Sequence, residues 1–147
     1  MDSRRIKVLV DTNVLIDFVN ASRPGHDLAK EVFQFIFSHD VEAAVTTQSV
    51  MDTAYLSGKG SPETMKQVRE TLRYILLHTN ASYIDSIEAR LALENPNPDI
   101  EDSAHLIFAE VECCDIILTN DKKLLARPVP APMKVMTPEA FVNNCRA

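Results

Sequence analysis

The feature that most constrains this chain is a short apolar run that ends at an acid, and that recurs. Ile6-Lys7-Val8-Leu9-Val10 is β-branched, brief and closed by Asp11; Asp115-Ile116-Ile117-Leu118 is followed within three residues by Asp121. Runs this short and this apolar suit strands buried on both faces, as in parallel sheets, and not the alternating pattern of a half-exposed strand. Between them the spacing turns helical: Ala29, Val32, Phe33 and Ile36 form one apolar stripe, and Met65, Val68, Leu72, Ile75 and Leu76 form another that should face the core.

In chain order the pattern predicts strands at 6–10, 41–45, 81–84 (weak), 115–118 and 134–136 (an edge strand). Helices are expected at 12–20, 27–38, 48–56, 61–77, 86–93, 99–111, 121–125 (a single turn) and 138–143. The breaks are chemically plain: Ser22-Arg23-Pro24-Gly25, Ser57-Gly58, Asn95-Pro96-Asn97-Pro98, and an extended connector carrying Pro128, Pro130 and Pro132. Strands separated by helices need right-handed crossovers that cover both sheet faces. The expected fold is therefore α/β, a three-layer α/β/α sandwich around a mostly parallel sheet of four or five strands. A length of 147 residues allows one domain over 1–147 and not two of ordinary size. Ligands of such sheets bind beyond the carboxyl ends of the strands.

Composition removes several function classes. Only three glycines occur (Gly25, Gly58, Gly60), so neither a phosphate-binding P-loop nor a dinucleotide fingerprint is possible. No apolar run approaches the length that crosses a bilayer. The opening Met1-Asp2-Ser3-Arg4-Arg5 leads directly into a strand, unlike a secretory signal. Cys113, Cys114 and Cys145 lack metal-binding spacing, as expected of a cytoplasmic protein with reduced thiols. A net charge of −6 argues against broad affinity for nucleic acid, yet it permits a nucleic-acid substrate where metal offsets clustered acids.

Four aspartates are candidates for that cluster. Asp11 and Asp121 each follow a buried strand within a Thr/Asn-containing turn, so both fall on the same rim; helix capping is the competing role. Asp102 lies one turn inside a helix entered through Pro98-Asp99-Ile100-Glu101, with Asp99 as the N-cap and Asp102 placed to reach back as a capping-box partner. Glu101, about 100° away on the helix, faces elsewhere. Against a cap-only role, the rest of that helix is apolar on nearly every side, so its acidic end abuts something specific. Asp52 sits inside a helix, where Asp has poor propensity, and a solvated surface acid is its alternative. Converging carboxylates suit hard ions such as Mg²⁺ or Mn²⁺, which activate water and offset phosphodiester charge.

The order of these motifs resembles the PIN domain family. Val8-Leu9-Val10-Asp11-Thr12-Asn13-Val14-Leu15-Ile16-Asp17 is similar to the family's opening, and Pro98 to Ala104 to its central acidic helix start. Asp115 to Leu124 resembles its closing strand-Thr-x-Asp turn, and Val135 to Phe141 its last strand and helix. The resemblance covers essentially the whole chain and implies a PIN-like fold with endoribonuclease activity. It implies that Asp11, Asp102 and Asp121 are metal-binding catalytic acids, oriented by Thr12, Asn13 and Thr119. Asp52 matches a catalytic position more often filled by glutamate, one methylene longer. The resemblance also implies an RNA substrate, a homodimer and, for toxin members, a small antitoxin partner.

Other residues carry weaker signals. His105, one turn after Asp102, reads as a satisfied histidine near the rim in preference to a proton-transfer group. Lys59, Lys122 and Lys123 lie near predicted site loops and are candidates to contact RNA; Lys66, Arg69 and Arg73 read as a solvated face. Phe33, Phe35 and Phe37 suit the core plus a partner contact. Phosphate-monoester hydrolysis of the haloacid-dehalogenase kind needs an Asp where Asn13 stands, and a receiver domain needs paired acids after its first strand. The remaining alternative is a catalytically degenerate RNA- or protein-binding domain of the same fold.

Overall fold

Each apolar run of the sequence finds another run beside it. In the computed structural model, which describes residues 4–147, the strands are β1 (Lys7–Val10), β2 (Glu42–Thr46), β3 (Asn80–Ser82), β4 (Ile116–Leu118) and β5 (Lys134–Met136). They form one sheet in the order β3-β2-β1-β4-β5, and every pairing is parallel. Residues 1–3, which begin the segment read above as unlike a secretory signal, lie outside the described residues. The helices are α1 (Thr12–Val19), α2 (His26–Phe37), α3 (Thr47–Ser57), α4 (Pro62–His78), α5 (Ser86–Glu94), α6 (Ile100–Val111), α7 (Lys122–Ala126) and α8 (Pro138–Arg146).

Alternation along the buried strands sorts the core into two layers. Val8, Val10, Ala43, Val45, Ile116 and Leu118 face α1, α2, α3, α4 and α8. Leu9, Ala44 and Ile117 face the opposite layer, built around Leu106, Phe108 and Ala109 of α6, Leu124 of α7 and Met133. This is a three-layer α/β/α sandwich with both faces of the sheet covered, the arrangement that all-parallel sheets require. From β1 the chain steps outward to β2 and β3, then returns across the opposite face through α5 and α6 to β4, on the other side of β1. The reversal makes the β1–β4 boundary the topological switch point, where outgoing connections diverge and leave a crevice.

Element boundaries agree with the sequence pattern to within a residue or two at most positions, with three differences. The third strand begins at Asn80 and ends at Ser82, an edge strand whose three residues pair with Ala44, Val45 and Thr46 of β2. The last helix continues to Arg146, three residues past the expected end. Leu76, expected in the core, is 41% exposed; α4 buries Val68, Leu72 and Ile75, and Leu76 lies about 100° around the helix from Ile75. Among the described residues, no helix is long and apolar enough to cross a membrane.

Phe33 anchors the larger layer. It is fully buried, and its ring stacks on Phe18 with centroids 4.2 Å apart, while Phe35 and Phe37 pack partly buried against the same core. Truncation of such a ring loses transfer energy and leaves a cavity. Phe33→Ala should lower the unfolding free energy by about 3–5 kcal/mol, whereas Leu76→Gln should change it by less than about 0.5 kcal/mol; urea denaturation of both variants measures the contrast.

Candidate active site

The register of the central strands brings the first acid to its neighbours. Val10 pairs with Leu118, and the ladder continues as Asp11 N–H donates to the Leu118 carbonyl at 3.0 Å. Asp11 and Thr119 therefore leave the sheet side by side. Thr119, fully buried, donates its hydroxyl to Asp11 Oδ2 at 2.7 Å and accepts the Asp121 N–H at 3.0 Å. One hydroxyl thus ties the two acid-bearing turns together. Asn13 donates its amide to Asp11 Oδ2 at 3.0 Å and to Thr119 Oγ1 at 3.2 Å, and accepts from Asn120 N–H at 3.1 Å.

Helix capping, the competing role posed by the sequence, is present at each of these acids and is compatible with a place in the acid cluster. Asp11 caps α1 by accepting Thr12 N–H at 2.8 Å, and Asp121 caps α7 by accepting Lys123 N–H at 2.9 Å. Asp99 caps α6 by accepting Asp102 N–H at 3.0 Å. Asp102 does not complete a capping box, since the Asp99 N–H is taken by Asn97 Oδ1 at 2.9 Å. Its carboxylate is left for the crevice. There Asp99, Asp102 and Asp121 each offer an oxygen, and these atoms lie within 4.8 Å of one another.

Charge is held at this site against its own repulsion. Burial raises the Asp102 carboxyl to about 6, and the adjacent charges of Asp99, Asp121 and Asp11 push in the same direction. Burial also opposes ionisation of Asp11, but hydrogen bonds from His105, Thr119 and the Thr12 N–H, with the charge of His105, outweigh it and keep the carboxyl below its usual range. For His105, burial disfavours the imidazolium; the bond to Asp11 and the charges of Asp11, Glu101 and Asp102 more than compensate and raise its pKa. His105 Nδ1 stands 3.3 Å from Asp11 Oδ1. These are opposite answers to one environment: Asp11 has a histidine and three hydrogen-bond donors beside it, and Asp102 has acids.

The remaining sequence candidates occupy different positions. Thr12 Oγ1 donates to Ser49 Oγ at 2.7 Å, which links the Asp11 turn to α3. Asp52 lies one turn further along α3, half-buried, with Oδ1 accepting from Gln48 Nε2 at 2.8 Å, and stands outside the carboxylate group that Asp99, Asp102 and Asp121 form. Lys59 rests over the Tyr55 ring, 4.4 Å from its centroid. Lys122 and Lys123 are exposed at the start of α7, and Lys123 lines a cavity with Asn97, Pro98, Asp99, Ile100, Asp102 and Arg127.

Two neighbours of the acids escaped the sequence reading, Asp99 and Asp17. Asp99 signalled only a cap; its place in the cluster was visible solely in the density of acids around Pro98. His105 is a satisfied histidine near the rim, as the sequence suggested, and its position three residues after Asp102 puts it on the same helical side. Asp17 had no signal beyond its place in the first helix. It is buried, receives Arg23 Nε at 3.0 Å and Asn120 Nδ2 at 3.0 Å, and so ties α1 to the turn that carries Asp121. Gly25 is required there, since a Cβ would stand 2.2 Å from Asp17 Oδ2.

Known proteins resemble this chain in sequence and in fold. A PIN domain model matches residues 7–123, from β1 to just beyond Asp121. Ribonuclease VapC1 of Aquifex aeolicus (strain VF5) is 22% identical over 141 residues, covering 94% of each chain. Among solved structures, PAE2754 from Pyrobaculum aerophilum superposes with a TM-score of 0.65 at 16% identity, covering 96% of each chain. A toxin–antitoxin complex from Klebsiella pneumoniae gives a TM-score of 0.62 at 22% identity, over 89% of this chain and 97% of that one. A five-strand parallel sheet whose switch point gathers acids, and a family match over most of its length, establish that this chain belongs to the PIN domain family.

Proposed function

We propose that the chain is a Mg²⁺- or Mn²⁺-dependent endoribonuclease that hydrolyses RNA phosphodiester bonds, a single nuclease domain over 1–147 acting in the cytoplasm as the toxin of a toxin–antitoxin pair. The observation that carries the nuclease reading is the convergence of Asp99, Asp102 and Asp121 within 4.8 Å, beside an Asp11 joined to Asp121 through Thr119. The choice of RNA rests on the family and on the ribonuclease it resembles. The antitoxin rests on the likeness to a chain of a toxin–antitoxin complex, and exposed Met51, Tyr55 and Leu56 on α3 offer apolar surface to a partner or to a second copy in a homodimer.

The donor set fits the ion. All the converging ligands are carboxylate oxygens, which hard divalent cations prefer, and none of the three acids has an ion-pair partner among the described residues. Asp102, raised to about 6, is a group whose charge the fold alone does not neutralise. Asp11, Asp102 and Asp121 would hold the ion, with Asp99 alongside and Asp52 assisting from α3. A divalent ion there supplies Lewis-acid activation of water and neutralises charge on the phosphodiester. The chain's own residues do the rest. Thr119 and Asn13 fix Oδ2 of the Asp11 carboxylate, the Thr12 N–H and His105 hold Oδ1 and favour its ionised form, and the sheet end holds the acids at one rim of the crevice.

Single-stranded RNA incubated with and without Mn²⁺ or Mg²⁺ tests the reading. Asp11→Asn, Asp102→Asn and Asp121→Asn should each abolish metal-dependent cleavage. Thr119→Val, which removes only an orienting bond, should reduce kcat/KM by about 10–100-fold, and Asp52→Asn by less than the three ligand changes. Metal-independent cleavage, or full activity of Asp11→Asn, overturns the mechanism; absence of cleavage with RNA binding retained favours a degenerate binding domain.

The raised Asp102 carboxyl also predicts a pH dependence. A folded pKa of about 6 against an ordinary 3.8 means that the folded state holds the proton more tightly. Its contribution to stability is full below the unfolded value and is lost as pH rises through about 6. Metal-free Asp102→Asn should therefore be more stable than the wild type at pH 7.5, by about 1 kcal/mol after allowance for solvent screening, and equal to it near pH 4. Mn²⁺ should raise the Tm of the wild type and not of the variant; calorimetry with and without EDTA checks both. Cleavage should rise with pH as Asp102 ionises.

A further inference from the structure

The cavity beside the acids has a second lining that the metal does not use. It measures about 590 Å³ and is bounded by Asn97, Pro98, Asp99 and Ile100, by Asp102, and by Lys123 and Arg127. Lys123 lies in the first turn of α7, the short helix that Asp121 caps, and Arg127 is the C-cap residue at its other end. Lys123 is exposed, but Arg127 is half-buried and fixed in place. Its Nη2 donates to Ser103 Oγ at 2.8 Å and to Asn95 Oδ1 at 3.4 Å, both neutral acceptors. Its Nη1 is shielded from water and has no hydrogen-bond partner.

A half-buried guanidinium normally takes a carboxylate, and carboxylates line the same cavity. Arg127 pairs with none of them among the described residues. Ser103, the residue after Asp102 on α6, and Asn95 hold it instead, which leaves a gap between the guanidinium and the carboxylates. A fold that needed Arg127 only to cancel acidic charge would have closed that gap. Separation is what a phosphodiester chain requires, because one phosphate faces a cation-binding set of acids while its neighbour needs a positive donor. Guanidinium presents a planar fork of donors matched to phosphate oxygens, and charge-assisted bonds of this kind are strong.

We propose that Arg127, with Lys123, forms a subsite for a backbone phosphate adjacent to the one at the acids. The subsite positions the strand and reads no base, since phosphate contacts set register without specifying sequence. It rests on the nuclease reading for the identity of the strand, but its test does not depend on catalysis.

The test is binding of a fluorescent single-stranded RNA by anisotropy in Mn²⁺ over a series of KCl concentrations, in an Asp11→Asn background that does not cleave. Arg127→Gln keeps a donor for Ser103 and Asn95 while removing the charge, so it separates phosphate contact from structural support; Arg127→Ala removes both. Each should weaken binding roughly tenfold, the effect of losing one charge-assisted hydrogen bond. Each should also flatten the slope of log K against log salt by about 0.7, the value of one phosphate contact on a single strand. Arg127→Lys should retain the slope, and Lys123→Ala should show a smaller loss. A purely structural Arg127 would lower Tm in the Ala variant and leave the slope of the Gln variant unchanged, which would overturn the proposal, as would no RNA binding by the parent. Cleavage is scored separately on the wild type. Slope changes without wild-type cleavage would keep the subsite and sink the nuclease reading, and cleavage with an unchanged KM in Arg127→Gln would do the reverse.

Discussion

The in-register pairing of β1 with β4 is the constraint on which the rest of the site depends. Those strands are buried on both faces, and their ladder sets Val10 opposite Leu118. Asp11 and Thr119 are consequently neighbours, and the Thr119 hydroxyl bridges Asp11 to the turn of Asp121. A slip of one residue would turn every side chain of β4 to the other layer, and the core clusters on the two faces exclude that. Packing of Val8, Val10, Ile116 and Leu118 on one side, and of Leu9 and Ile117 on the other, therefore fixes functional geometry as firmly as any polar contact does.

Against that rigid base stands an electrostatic conflict. Asp99, Asp102 and Asp121 are crowded together, and burial adds to the difficulty for Asp102. The fold relieves the strain selectively. Asp11 receives a buried histidine, a threonine hydroxyl, an amide and a backbone N–H; Asp102 receives mainly more negative charge. Sites that accept such repulsion are those whose function needs it, because a bound cation then gains what the empty fold has lost. Capping makes the arrangement economical. Asp11, Asp99 and Asp121 each use an oxygen to satisfy a helix N-terminus while presenting the carboxylate at the crevice.

Much of this was legible in the chain. Short apolar runs closed by acids implied parallel strands ending at one rim, and helical stripes such as Ala29, Val32, Phe33 and Ile36 predicted the covering layers. The motif order led to the PIN family, which the family match supports. Legibility failed where a residue's role depends on what meets it from far along the sequence. Leu76 matches an apolar stripe by composition but misses it by angle. Asp99 shows a cap and conceals a cluster. Arg127 lies just past the closing motif, and its partners Asn95 and Ser103 are 32 and 24 residues away.

The sequence by itself determined the alternation of strand and helix, the acids at strand ends and helix starts, and so the kind of chemistry to look for, because periodicity and capping are local properties. Only the tertiary structure decided which acids meet. It set Asp99 among them, left Asp52 one turn along α3 and apart from that group, paired His105 with Asp11, and put Arg127 in the lining of the same cavity without an ion pair to the acids. The reason is physical: convergence depends on sheet order and crossover path, which bring together residues more than a hundred positions apart, and no local pattern encodes that distance.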